Sequence, residues 1–273
     1  PTAGTSNVRF GANVGNSITS GGNFNTVVGD NAGSGITTGD QNVAIGYNSL
    51  FTEDTGSRSI AIGSSALKLQ NAGDVNAYNI GIGHNSGINI TTGVQNVLIG
   101  GLTGDAITTG DNNVAIGYET LTANTVGDRS TAVGNFALKS QNPASNSDMY
   151  NVAVGHNAGG DITTGNLNTL IGGLAGDALT DGTANTVLGY NALGSEVRGN
   201  RAVALGYNAL SSQSFNSSTA NYNIAVGFEA GLSVTTGVQN TLIGGLAGDA
   251  LTDADFNVAL GYNSLSTDTL GSR

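Results

Sequence analysis

Asn42-Val43-Ala44-Ile45-Gly46 is one copy of a phrase that recurs fifteen times in 273 residues: Asn, a β-branched residue, a small or apolar residue, an aliphatic, then Gly. Asn113 to Gly117, Asn151 to Gly155 and Asn257 to Gly261 are further copies. The anchoring glycines are Gly11, Gly29, Gly46, Gly63, Gly83, Gly100, Gly117, Gly134, Gly155, Gly172, Gly189, Gly206, Gly227, Gly244 and Gly261, spaced by 17 residues with a few steps of 18, 20 and 21. So short a period describes a coil that stacks on its own copies, and one unit decides the whole fold.

With the anchoring glycine as position zero, −1 is Val, Ile, Leu or Phe and −3 is Val, Ile or Thr in every copy. These two share one face of a short strand, and the −2 residue (Ala44, Ala61, Leu98, Leu170) points to the other. Both faces are apolar, as in a parallel strand covered on two sides. A coil of 17 residues is too thin to cover both, so a second body must pack on the second face, and sister chains are the economical candidate. Position −4 is Asn except at Ser59, Ser130 and Ala202. Asn accepts backbone N–H bonds at tight turns and, stacked coil on coil, forms an amide ladder. Position +3 is Ala, Ser or Thr except at Val14, which predicts a second short strand in close packing. No stretch shows a helical period.

Every fourth coil resembles the one four before it, giving a superperiod of about 72 residues: Gly83, Gly155 and Gly227 are 72 apart. The first coil type carries Ile/Val-Thr-Thr-Gly (90–93, 162–165, 234–237), and the second Ile-Gly-Gly-Leu-x-Gly-Asp-Ala from Ile99, Ile171 and Ile243. The third has Gly-Tyr at Tyr47, Tyr118, Tyr190 and Tyr262, and the fourth carries insertions at 68–77, 139–149 and 211–221. The reading is a single repetitive domain over 1–273 with four superrepeats, the last incomplete. At about 4.8 Å per strand, fifteen coils extend on the order of 70 Å, with the long loops projecting about every 19 Å. A chain that starts at Pro1 and stops at Arg273, where Arg58, Arg129 and Arg201 recur in the repeat, reads as a piece of a longer fibre.

Composition narrows the function classes. Glycine is 44 of 273 residues with only 2 Pro, so the chain is not collagen-like, and regular Val, Ile and Leu spacing argues against disorder. The formal net charge of −11 disfavours nucleic acid and anionic membranes as partners, and no apolar run is long enough for membrane insertion. The absence of Cys removes disulfide and thiolate-metal frameworks. No nucleophile–His–acid set recurs, and the few acids are scattered, so the expectation is no enzyme, no cofactor and no metal.

The pattern Asn-(Val/Ile/Thr)-Ala-(Ile/Val)-Gly-x-x-(Ala/Ser), matched at 42–49, 59–66, 113–120, 151–158 and 257–264, resembles the head repeats of trimeric autotransporter adhesins. It also looks like the β-roll segments of phage tail fibres. That resemblance covers nearly the whole chain. It implies a left-handed parallel β-roll of about 15 coils, assembled as a side-by-side homotrimer. Adhesin heads have coils of about fourteen residues, so the 17-residue step and the long fourth coil are departures that tilt the reading toward a phage-type or environmental fibre. The implied setting is extracellular: a virion tail fibre or a bacterial cell surface.

Contact with a receptor is expected from the fourth-coil loops, which hold Gln70, Gln141 and Gln213 and lead into Tyr78, Tyr150 and Tyr222. Amides and aromatic rings of this kind suit a cell-surface glycan, or a protein receptor. The fixed register of each Tyr points first to a cap on the next coil's core, but loops on a rigid scaffold remain the place to look for contact. Asn42, Gly46, Asn113, Gly117, Asn151, Gly155, Asn257 and Gly261 are structural repeat positions. His84 and His156 read as surface residues, and Asp105, Asp177 and Asp249 as turn caps, not paired metal ligands. Arg58, Arg129, Arg201 and Arg273 stand near Asp54, Asp128 and Asp268 and are expected to form ion pairs. The functional expectation is a fibre segment that presents loops for attachment. The alternatives are a structural spacer and a self-assembling filament subunit.

Overall fold

A computed structural model of the chain describes residues 4–272. They are all-β without a helix, a parallel β-solenoid of about fifteen turns, in two compact units: 4–130 with 142–148, and 131–141 with 149–272. In the first unit seven three-residue strands, from Val8–Phe10 to Val114–Ile116, pair in chain order. In the second, eight such strands run from Thr131–Val133 to Val258–Leu260. Within each unit a strand pairs in parallel with the same positions of the next coil: Val43 with Ile60, Ala44 with Ala61, Ile45 with Ile62.

Alternation along the strand decides what is inside. The −4 and −2 side chains point into the coil, and Asn42, Ala44, Leu98, Asn168 and Leu170 have no solvent exposure. The −5, −3, −1 and +1 side chains point outward. The sequence reading that a second body must cover the −2 face is therefore corrected, because the coil's own turns close over it. What lies outside is the −3/−1 stripe, with Ile45, Ile116, Ile171 and Ile243 each more than a third exposed. The second short strand expected at +3 does not form either. Residues +1 to +6 are turns, and the small +3 side chains (Ala32, Ala66, Ala158) are buried within them.

The interior is filled in two interchangeable ways. Where +4 is Gly, position +7 is aliphatic: Gly33 with Ile36, Gly176 with Leu179. A Cβ on Gly33 would lie 2.7 Å from Val27 and 2.9 Å from Ile36, so that space is occupied. Where +4 is Leu, as at Leu50, Leu67, Leu121 and Leu193, the Leu fills the core and +7 becomes polar: Glu53, Gln70, Asn124, Glu196. Two coils of the first kind alternate with two of the second, which is the physical content of the four-coil superperiod.

Two backbone devices hold the coil. The anchoring glycine has φ between 118° and 144° in every coil, and a Cβ on Gly46 would sit 2.6 Å from the carbonyl oxygen of Gly63 in the next. Conformation and stacking both demand Gly there. All described non-glycine residues with positive φ fall at −5, +2 or +4. Asn supplies most +2 positions, where its tolerance of the left-handed region is useful. The second device is the Asn ladder. The backbone N–H of Asn42 donates to Asn25 Oδ1 at 2.9 Å, Ser59 N–H donates to Asn42 Oδ1 at 2.9 Å, and Asn42 Nδ2 donates to the Gly56 carbonyl at 2.9 Å. In the second unit Asn168, Asn185 and Ala202 continue the pattern from Asn151.

Candidate functional site

The insertions of the fourth coil type begin inside the molecule. Gln70, Gln141 and Gln213 have no solvent exposure, so their expected place on a binding surface is corrected. Each repairs the Asn ladder where the insertion interrupts it. Gln70 Nε2 donates to Glu53 Oε2 at 2.6 Å and to Ser59 Oγ at 2.8 Å, while its Oε1 accepts from Asn79 Nδ2 at 2.9 Å. Asn151 donates to Gln141 Oε1 at 2.9 Å, and Asn223 to Gln213 Oε1 at 2.7 Å. Glu196, also fully buried, accepts the backbone N–H groups of Val197, Arg198, Gly199 and Phe215 together with Gln213 Nε2. A buried carboxylate is tolerable only with donors in that number.

The loops reach the surface at their tips. Residues 74–76, 144–146 and 216–218 are exposed and mostly Asn, Asp and Ser. The returning limb adds a short parallel rung, Ser147–Asp148 on Gly127–Asp128 in the first unit and Thr219–Ala220 on Gly199–Asn200 in the second. Tyr78, Tyr150 and Tyr222 stand outside the core, 48 %, 50 % and 50 % exposed, at the −5 position with φ near 50°. They stand two residues before the next strand, on its outward side, so a cap on the core does not describe them.

The arginines find partners on neighbouring coils, and the charge of Arg129 also acts on Asp128. Arg58 donates to Gln41 Oε1 at 2.9 Å and lies 5.9 Å from the centroid of the Tyr78 ring. Arg201 lies 5.6 Å from that of Tyr222, and Arg129 forms its ion pair with Asp148. Arg273 and its expected pairing lie outside the described residues.

His84 and His156 are exposed, and Phe136 meets His156 edge-on at 5.7 Å. Among the described residues no group of three or more His, Asp or Glu is placed to hold a metal ion, and no helix is long and apolar enough to cross a membrane. Of the three aspartates, Asp105 accepts a bond from the Thr122 hydroxyl. The equivalent of Thr122 beside Asp177 is Gly194, and Asp177 Oδ1 is buried without a hydrogen-bond partner. Burial, reinforced by the charge of Asp161, pushes the Asp177 carboxyl above the ordinary carboxylate range. A shallow concavity of about 590 Å³ lies over Asn13, Asn31, Ser34 and Phe51, between turns and away from the insertions.

One surface went unread in the sequence. The +1 row carries Tyr190, Tyr207 and Phe228 on three successive coils, stacked with centroids 5.7 and 5.4 Å apart and planes within 16° and 7°. Along the same row Gly101, Gly173 and Gly245 recur every 72 residues, each followed one coil later by Tyr118, Tyr190 or Tyr262. The Gly-Gly and Gly-Tyr pairs are plain in the sequence, and they gain meaning only once +1 is known to face outward.

Compared with known proteins, the chain matches no family model and no curated protein.

Proposed function

We propose that this chain is a segment of an extracellular fibre, of the trimeric-adhesin or tail-fibre kind. In it three left-handed β-rolls lie side by side and the tips of the fourth-coil loops meet a cell-surface glycan or protein receptor. The observation that carries the reading is the outward −3/−1 stripe. Val, Ile, Leu and Thr repeat on it at every coil, half-exposed, flanked by the aromatic residues of the −5 and +1 rows. Within each unit an apolar stripe over seven or eight successive strands marks an interface, and covering it returns roughly 25 cal/mol per Å². Sister chains fit because the stripe repeats with the period of the chain itself.

Sedimentation of the intact chain over a dilution series tests the assembly. A stable species near three times 27.1 kDa is expected, and a monomer at all concentrations would remove the reading. Attachment is tested by replacing only the exposed tips 74–76, 144–146 and 216–218 with Gly and Ser, which leaves the buried glutamines in place. Lost cell binding supports attachment. The interior position of Gln70, Gln141 and Gln213 favours the second reading, a structural spacer, and unchanged cell binding in the tip variant would establish it.

A further inference from the structure

The outward rows have a fixed order across each strand: −5, then −3 and −1, then +1. Any cyclic assembly that buries the −3/−1 stripe around an axis parallel to the solenoid must bring the −5 edge of one copy against the +1 edge of the next. Rotation about such an axis does not change height, so equivalent coils meet.

Side-chain sizes on the two edges are complementary in five coils. In the second coil type the +1 residue is Gly101, Gly173 or Gly245, and the −5 residue is the longer Gln95, Leu167 or Gln239. In the third type the relation reverses, with Tyr118 and Tyr190 at +1 and the short Asn112 and Ala184 at −5. Gln41 with Tyr47 and Phe256 with Tyr262 depart from that relation, and the earliest second-type coil carries Phe24 and Asp30 in place of a notch. In the first type ring meets ring, Tyr78 with His84 and Tyr222 with Phe228.

Nothing within one chain calls for glycine at the three notches. Their φ values lie outside the left-handed region. A Cβ on Gly101 or Gly173 would find only the next coil's Tyr ring, in ordinary contact at 3.6 or 3.5 Å. On Gly245 it would meet Tyr262 at 3.5 Å and the Phe228 carbonyl at 3.9 Å. A side chain would fit there, and none is present.

We infer that copies of this chain associate in register, the −5 side chain of each second-type coil (Gln95, Leu167, Gln239) seated in the glycine notch of the same coil of the next copy. The inference rests on the side-by-side assembly proposed above and adds its register and its contacts.

The chain has no Cys, so a designed pair can be read without background. Leu167→Cys with Gly173→Cys straddles the strand Thr169–Ile171, and the two Cα atoms are on the order of 15 Å apart, too far for a bridge within one chain. Mild oxidation of the intact double variant is expected to close covalent trimers on a non-reducing gel. Tyr150→Cys with Gly173→Cys reports a shift of one coil, and cross-linking there in preference would overturn the in-register assignment. Separately, Gly101→Trp, Gly173→Trp and Gly245→Trp together should leave the circular dichroism unchanged and weaken association at least tenfold. A wild-type chain that sediments as a monomer ends the underlying assembly reading. A wild-type oligomer whose mass, affinity and cross-linking ignore these substitutions ends the notch inference alone.

Discussion

Asn79 donates its side-chain amide to Gln70 at 2.9 Å, across an insertion that carries the chain away from the coil and back. At coil boundaries without an insertion, such as Asn96 on Asn79 and Asn168 on Asn151, the partner of an Asn is the equivalent residue one coil earlier. Here the earlier residue is Ser59, and Gln70 spans the distance by bonding Ser59, Asn79 and Glu53 together. The side-chain amides of Gln70 and Asn79 thereby keep partners across the insertion.

Gln213→Ala will test that repair. It removes a donor from buried Glu196 and an acceptor from Asn223, and the expected loss is about 2–3 kcal/mol, read as a lower urea midpoint. Gln213→Glu should be worse, since it sets a second carboxylate against Glu196 inside the coil.

Gly46→Ala should cost more than about 4 kcal/mol or abolish folding, because φ is 129° and the Cβ would strike the Gly63 backbone. Gly73 has φ of 74° and open space around it, so Gly73→Asn should shift thermal unfolding by no more than about 0.5 kcal/mol equivalent. Equal effects from the two substitutions would contradict the stacked-glycine account.

How much of this was legible beforehand follows from which groups the repeat exposes to counting. Strands, coil number, parallel pairing and the Asn ladder could all be read, because each depends on one residue type at one position in every coil. The inside of the coil could not. Leu50 with Glu53 and Gly33 with Ile36 are two solutions to one volume, and neither position alone looks apolar in every copy. Without that volume the −2 face seemed to need an outside cover. The loop glutamines misled for a related reason: Asn and Ser around Gln70 describe an exposed loop, yet the first residues of the insertion still belong to the core.

The volume exchange predicts a double-mutant result. Gly33→Leu alone overfills the coil against Val27 and Ile36 and should cost about 1–3 kcal/mol. Adding Ile36→Asn converts the coil to the Leu-with-polar kind found at Leu121 and Asn124, and should recover at least about 1 kcal/mol of that loss. Additive losses in denaturant melts would show that the two fillings are not exchangeable.

Asp177 sets a pH dependence. Its folded-state carboxyl holds a proton more tightly than in the unfolded chain, so it weakens the fold as pH rises from the ordinary carboxylate range through its raised folded value, and the penalty is constant above that. Asp177→Asn should therefore raise the thermal midpoint at pH 7, with the gain fading as pH falls into the ordinary carboxylate range. A gain that persists unchanged in acid would point to a cause other than the buried, unpartnered oxygen.

The glutamine bridge also bears on how such a chain can change its length. Loss of one coil within a repeat would set an Asn against a partner of the wrong kind, or leave Glu53 or Glu196 without its donor. Loss or gain of about 72 residues, the distance from Gly83 to Gly155, rejoins coils of the same type, with the same Gly-or-Leu filling and the same insertion glutamine. Recombination among genes of this design would thus be filtered by polar satisfaction, and viable lengths would differ by four coils at a time.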